Sequence, residues 1–147
     1  MIKPLLSLAL FLSFAVIPGV HTFKAEKRSI YPPGAKPGGN YTPGILVDDT
    51  LYISGQIGLD ANGKIPETFE AETRQVLENV DAVLKAAGMT SNDVVSVHVY
   101  LTDQANFQPM NAVYGAFFKD PRPTRTTVVV AKLVGPARIE ITCTARK

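Results

Sequence analysis

The sequence predicts an α+β sandwich in which two helices cover one face of a sheet, with the elements in the order β-β-β-α-β-α-β-β. Three observations carry this expectation. Between Glu67 and Gly88 the apolar residues Phe69, Val76, Leu77, Val80, Val83, Leu84 and Ala87 recur mostly at intervals of three and four, as on a helix with one buried stripe. Val95, Val97, Val99 and Leu101 alternate with Ser96, His98 and Tyr100, and Ile139, Ile141, Cys143 and Ala145 alternate with Glu140, Thr142, Thr144 and Arg146, which is the two-residue period of half-buried strands. Between them, Thr124 to Lys132 is rich in Val and Thr, residues suited to a pleated surface. A chain of 147 residues that is 46% apolar and 19% charged has the length of one domain and the material for one core.

From the N-terminus, Lys3 precedes an uncharged apolar run from Leu5 to Ile17 that ends at Pro18 and Gly19. A bilayer-spanning helix needs about 20 apolar residues, and this run is shorter, so the pattern predicts a signal peptide over residues 1–22, cut after Thr22, ahead of a domain spanning 23–147. Export to the periplasm or the exterior is the expectation. A cytoplasmic chain with a retained apolar tail is the alternative. Residues 32–44, PPGAKPGGNYTPG, are too rich in Pro and Gly for helix or central strand and read as a loop. Ile45 to Val47 and Leu51 to Ile53 flank Asp48-Asp49-Thr50, which predicts a β-hairpin whose second strand ends at Ser54, Gly55 and Gln56. Asn62-Gly63 marks a turn between Leu59 and Ile65, and this extended stretch supplies the third early strand. The first helix follows Pro66, with Thr68, Glu70, Glu72, Glu78 and Asp81 outside its stripe, and Gly88 stops it. The second helix runs from about Phe107 to Phe118, with Asn106 as its cap and Pro109 in the first turn. Strands over Thr124 to Lys132 and Arg138 to Arg146 complete the chain.

Charge and cysteine content narrow the chemistry. Fifteen Lys+Arg against thirteen Asp+Glu give +2, without the basic stripe that a phosphate backbone demands, so nucleic acid is not an expected partner. One cysteine and two histidines, His21 and His98, cannot build an internal disulfide or a metal cage, and there is no phosphate-cradling glycine loop. No cofactor and no metal are expected. Ser54 lacks the G-x-S-x-G elbow of a hydrolase nucleophile.

What remains is a set of polar residues at strand ends. Arg125 opens a strand, where its guanidinium can reach past the sheet edge and grip a carboxylate with two parallel bonds. Glu140 is out of phase with Ile139 and Ile141 and therefore faces away from the apolar stripe; confined against another subunit, it could act as a base on water. Tyr41 lies in the Gly/Pro-rich loop, where packing and ligand contact are both open readings. Cys143 shares the apolar phase of its strand and reads as an inert core residue, and His98 as a structural one.

The strings LYISGQI (Leu51 to Ile57), NAVYGAFF (Asn111 to Phe118), PTRTTVVVAKL (Pro123 to Leu133) and RIEITC (Arg138 to Cys143), in this order and spacing, resemble the RidA/YjgF reactive intermediate deaminases over roughly residues 28 to 146. The resemblance implies a chorismate-mutase-like α+β fold and a homotrimer with a ligand cleft at each subunit interface. It implies hydrolysis of 2-imino and 2-enamino acids to 2-keto acids and ammonia, without metal or cofactor. Carried over by position, Arg125 would bind the substrate carboxylate and Glu140 would hold the attacking water, with Tyr41, Ser54 and Gly55 lining the same pocket. There are two departures: the family's G-P-Y-S-Q loop reads Gly39-Asn40-Tyr41-Thr42-Pro43, and the cysteine often found two residues after the arginine is Thr127. A different class also fits, namely a trimeric chaperone-like protein that binds a small carboxylate without turnover. Ribonuclease activity, attributed to some relatives, fits poorly with a charge near zero.

Overall fold

The computed structural model describes residues 25–147, so the leader expected over residues 1–22, with its cut after Thr22, lies outside the described residues. In chain order the elements are β1 (Lys27–Ile30), β2 (Gly44–Val47), β3 (Thr50–Ile57), α1 (Phe69–Ala86), β4 (Val94–Leu101), α2 (Phe107–Phe117), β5 (Thr124–Val129) and β6 (Ile139–Arg146), with 3-10 turns at Ser91–Asp93 and Gln104–Asn106. The expected element order holds. All strands join one sheet, β1-β2-β3-β6-β4-β5, antiparallel throughout except for the parallel pair β4 and β5. A parallel pair requires a crossover connection, and α2 supplies it.

Both helices lie on one sheet face. The inward residues of β3, β4 and β6, among them Leu51, Ile53, Val97, Val99, Ile139, Ile141 and Cys143, form one buried cluster with Val76, Val80 and Leu84 of α1 and Met110 and Tyr114 of α2. Their alternating partners, including Tyr52, His98, Thr142 and Glu140, occupy the face without helices. Among the described residues no helix is long and apolar enough to cross a membrane.

The third early strand is not the stretch from Leu59 to Ile65 but β1, Lys27–Ile30. The carbonyls of Ile57 and Leu59 accept from the Asn79 Nδ2 of α1 at 2.8 and 3.0 Å, which draws this stretch over the helix and away from any strand partner. The turn at Asn62-Gly63 is organised by Asp60, whose Oδ1 accepts from the backbone N–H groups of Asn62 and Lys64, each at 2.8 Å. β1 is short and charged, as an edge strand must be to resist pairing with other chains.

Helix α1 begins at Phe69 rather than Glu67, because the Thr68 hydroxyl accepts from the Ala71 N–H at 3.3 Å and caps it. It stops as expected: Gly88 has φ +73°, its N–H reaches the Lys85 carbonyl at 2.9 Å, and Met89 N–H reaches the Leu84 carbonyl at 2.8 Å. Asn106 makes no side-chain capping bond. A 3-10 turn precedes α2, so the orphan N–H groups come earlier, and Asp103 Oδ1 caps them through the Ala105 N–H at 2.8 Å. β5 ends at Val129, short of Lys132, and β6 starts at Ile139.

The largest departure is Glu72, expected outside the apolar stripe and found fully buried. Its Oε1 accepts from the Arg138 backbone N–H at 2.7 Å and its Oε2 from Arg138 Nε at 2.5 Å, while Arg138 Nη2 donates to the Pro66 carbonyl at 2.9 Å. The chain passes so close here that a Cβ on Gly58 would sit 2.6 Å from Glu72 Cγ. One ion pair thus ties together the start of β6, the first helix and the segment leading into it.

Candidate active site

Arg125 is the second residue of edge strand β5, in register with Val97, whose side chain is fully buried beneath the helices. Register neighbours share a face, so Arg125 projects toward α2. Its guanidinium carbon lies 4.6 Å from the Tyr114 ring centroid and 5.9 Å from that of Phe107, and Nη1 stands 3.9 Å from Met110 Sδ. Aromatic faces attract a cation but leave its hydrogen-bond donors unspent. None of the ion pairs among the described residues includes Arg125. It borders an open cleft of about 470 Å³ lined by Asn111, Tyr114, Gly115, Arg122, Pro123 and Arg125, with no carboxylate in the wall.

Two hydroxyls near this region are buried without a hydrogen-bond partner among the described residues: those of Tyr114 and Thr127. Burial pushes the Tyr114 hydroxyl up to about 12, with Arg125 pulling weakly the other way. Behind it, burial also holds the Cys143 thiol at about 12, so at neutral pH it is protonated and inert, as its strand phase predicts.

A second group of residues gathers on the other sheet face. Glu140 is half-buried in β6, in register with Tyr100 of β4 and Ile57 of β3. The β3–β6 register shifts between Ile53 and Gln56, and at this irregularity Gly55 lies against the carboxylate. A Cβ on Gly55 would overlap Glu140 Oε1 and come within 2.8 Å of the carboxyl carbon, so no larger residue fits without moving the acid. Ser54 Oγ donates to the Thr42 carbonyl at 2.7 Å, and Ser54 N–H donates to the Pro43 carbonyl at 3.0 Å. Those two bonds fix the loop that carries Tyr41, which is 68% exposed.

Four of the five candidates, Tyr41, Ser54, Gly55 and Glu140, therefore cluster at one corner, and Arg125 does not join them. Within one chain it lies across the sheet, two strands away, on the opposite face. The sequence reading also passed over the cleft's other polar residues, Asn111, Tyr114 and Arg122. The first two lie in the NAVYGAFF string at helical spacing, i and i+3, which was the available signal. His98 is exposed on the open face between Thr126 and Thr142. Among the described residues no group of three or more His, Cys, Asp or Glu is placed to hold a metal.

Residues 33–147 match the family described as Endoribonuclease L-PSP. A RutC family protein of Saccharolobus solfataricus is 45% identical over 114 residues, covering 76% of this chain and 90% of that one. A RutC family protein of Aquifex aeolicus is 40% identical over 124 residues, 82% of this chain and 99% of that one. Among solved structures, RidA from an Antarctic Psychrobacter superposes with a TM-score of 0.77 at 37% identity, covering 82% of this chain and 99% of that chain. TdcF of E. coli with bound serine gives 0.74 at 34% identity, over 82% and 98%. The fold and its lining residues define an α+β protein with an open cleft at the sheet edge. The chain belongs to the RidA/YjgF family.

Proposed function

We propose that this protein hydrolyses 2-imino and 2-enamino acids to 2-keto acids and ammonia, in a site completed by a second copy of the chain. The observation that carries the reading is Arg125: a guanidinium held over Tyr114 at 4.6 Å, free of any acidic partner among the described residues, at the mouth of a cleft. Such a group is suited to an anion arriving from outside, gripped by two parallel N–H donors. Glu140 faces the opposite side of the sheet, so an acid and an arginine meet only when the open face of one copy lies against the β5 edge of another. That open face carries Tyr52, 53% exposed, and Val128, 42% exposed, which a second copy would cover. The homotrimer the family resemblance implies is an arrangement of this kind.

The chemistry follows from the two ends of the substrate. Arg125 fixes the carboxylate and so orients the adjacent C=N carbon. Glu140 of the partner subunit takes a proton from water as its oxygen bonds to that carbon, giving a carbinolamine. The same carboxyl returns that proton to nitrogen, then takes the carbinolamine's hydroxyl proton and passes it to nitrogen as the C–N bond breaks, so that ammonia leaves behind a keto group. Gly55 leaves the acid its place, Ser54 holds the loop beside it, and Tyr41 stands exposed on that loop, open to a ligand or a second copy. The TdcF structure, with its bound serine, supports a ligand of this size in a relative.

An amino-acid oxidase that generates imines in situ, with semicarbazide as trap, tests the proposal. Wild type should lower the yield of semicarbazone and Arg125→Ala should not, with both sedimenting as the same oligomer. An unchanged rate in the variant removes the assignment. Saturable binding of a 2-keto acid without turnover would favour the carrier reading, to which the Asn40 and Pro43 departures in the loop also point. We place the reaction outside the cytosol on the leader alone, and N-terminal sequencing of the native protein checks that.

A further inference from the structure

The wall of the Arg125 cleft holds a second guanidinium. Arg122 lines the same space, three residues earlier and separated from Arg125 by Pro123 and Thr124, with the Asn111 amide on the wall formed by α2. Among the described residues Arg122 has one ion-pair partner, Asp120 Oδ1 at 3.4 Å, and both side chains are largely exposed. An exposed pair of this kind is weak, so Arg122 can exchange Asp120 for a stronger anion.

Gly115 is the second unusual feature. It lies in the body of α2, where glycine is a poorer helix former than alanine, and a Cβ built there would meet nothing within 4 Å. Packing within the chain does not call for a glycine. Its effect is on the cleft, whose wall it forms together with the two arginines, because any side chain there would stand in the ligand space. The result is a small-molecule-sized volume, about 470 Å³, with two cations, an amide and no acid.

We infer that the cleft selects substrates with two carboxylates, the imines of acidic amino acids, with Arg125 gripping the carboxylate beside the imine carbon and Arg122 the distal one. This rests on the deaminase reading above and deepens it by naming the substrate class. A monocarboxylic imine leaves Arg122 with only Asp120. A dicarboxylic one gives each guanidinium its own anion, which is worth about tenfold or more in kcat/KM for one added charge-assisted contact.

The experiment compares two imine sources in the semicarbazide competition assay: D-aspartate with D-aspartate oxidase, and D-alanine with D-amino-acid oxidase. Wild type, Arg122→Leu and Arg125→Ala are run in parallel. Wild type should favour the aspartate-derived imine, and Arg122→Leu should lower the ratio of the two kcat/KM values about tenfold, chiefly through KM. Arg125→Ala should lose both substrates. A ratio that is the same in wild type and Arg122→Leu overturns the inference while leaving the deaminase reading intact. If no imine is hydrolysed by any form, the deaminase reading fails, and calorimetric titration with succinate against butyrate judges the cleft separately. Tighter succinate binding that disappears in Arg122→Leu supports the two-anion cleft, and equal affinity for the two acids removes it.

Discussion

Two arginines of this chain sit near opposite ends of the sheet and have opposite surroundings. Arg138, just before β6, is engaged by the fold: its backbone N–H and Nε donate to the two oxygens of buried Glu72, its Nη2 donates to the Pro66 carbonyl, and the Phe69 ring lies 5.9 Å from its guanidinium. Arg125 at the start of β5 meets only rings and a thioether among the described residues. The first turns its guanidinium on groups of the fold, and the second has no acceptor oxygen among the described residues. Side-chain chemistry is the same in both, so what separates a structural cation from a functional one is whether the chain itself provides the anion.

The largest effect should come from breaking the Glu72–Arg138 pair. Arg138→Ala removes the guanidinium and leaves buried Glu72 with only the backbone N–H of residue 138, which should cost about 3–5 kcal/mol in urea unfolding. Replacing both, Glu72→Leu with Arg138→Met, should recover most of that loss, because a well-packed apolar pair avoids the desolvation penalty. A single variant that unfolds like wild type would mean the pair is not what holds β6 to α1. Arg125→Ala should behave in the opposite way. Its urea midpoint should move by less than about 1 kcal/mol in stability, while kcat/KM for imine hydrolysis falls about 100-fold or more, some 2.7 kcal/mol of transition-state binding. If Arg125→Ala proved as destabilising as Arg138→Ala, the contrast between the two residues would collapse.

The acid side of the site gives a smaller effect. Gly55→Ala places a methyl where the Glu140 carboxylate now lies, so the acid must turn away from its present position. Hydrolysis should slow by about tenfold, as expected for a misplaced but intact catalytic group, with overpacking costing about 1–3 kcal/mol. A Gly55→Ala form with full activity would show that Glu140 works from another position.

This contrast explains how much the sequence could reveal. Periodicity located both helices and the strands β4 and β6 because those elements bury one face along their whole length, and a hydrophobic stripe is legible in one dimension. Lys27–Ile30 was missed because an edge strand with only Ile30 buried has no stripe to read. Leu59 to Ile65 was misassigned because apolar residues near a turn look the same whether they pair with a strand or are tied down by Asn79. Glu72 was placed outside the stripe because its partner lies 66 residues away, and no local pattern encodes a buried ion pair. The candidate residues themselves were legible as strand-end polar groups and through the family resemblance. Their separation was not: that Arg125 and Glu140 fall on opposite faces depends on the register of β5 with β4 and of β4 with β6, which only the assembled sheet defines.

The smallest effect concerns the ring beneath Arg125. Tyr114→Phe keeps the aromatic face that holds the guanidinium and removes a hydroxyl that is buried without a partner among the described residues. At pH 7 the variant should therefore be as stable as wild type or more so by about 1 kcal/mol, since an unsatisfied buried group is lost. The alkaline range separates the two forms. Burial raises the Tyr114 hydroxyl from its ordinary 10 to about 12 in the folded protein. The stability this represents is fully present below pH 10 and is lost as pH rises toward 12, because the unfolded chain releases that proton while the folded one must keep it. Cys143, raised from 9 to about 12 by burial, adds a fall that begins one pH unit earlier and is present in both proteins. Urea midpoints measured at pH 7, 9.5 and 11 should fall in both, with the gap in favour of Tyr114→Phe opening above pH 10. Parallel curves would mean that the hydroxyl finds a partner in the assembled protein, and the cleft wall would then hold one more donor than the isolated chain reveals.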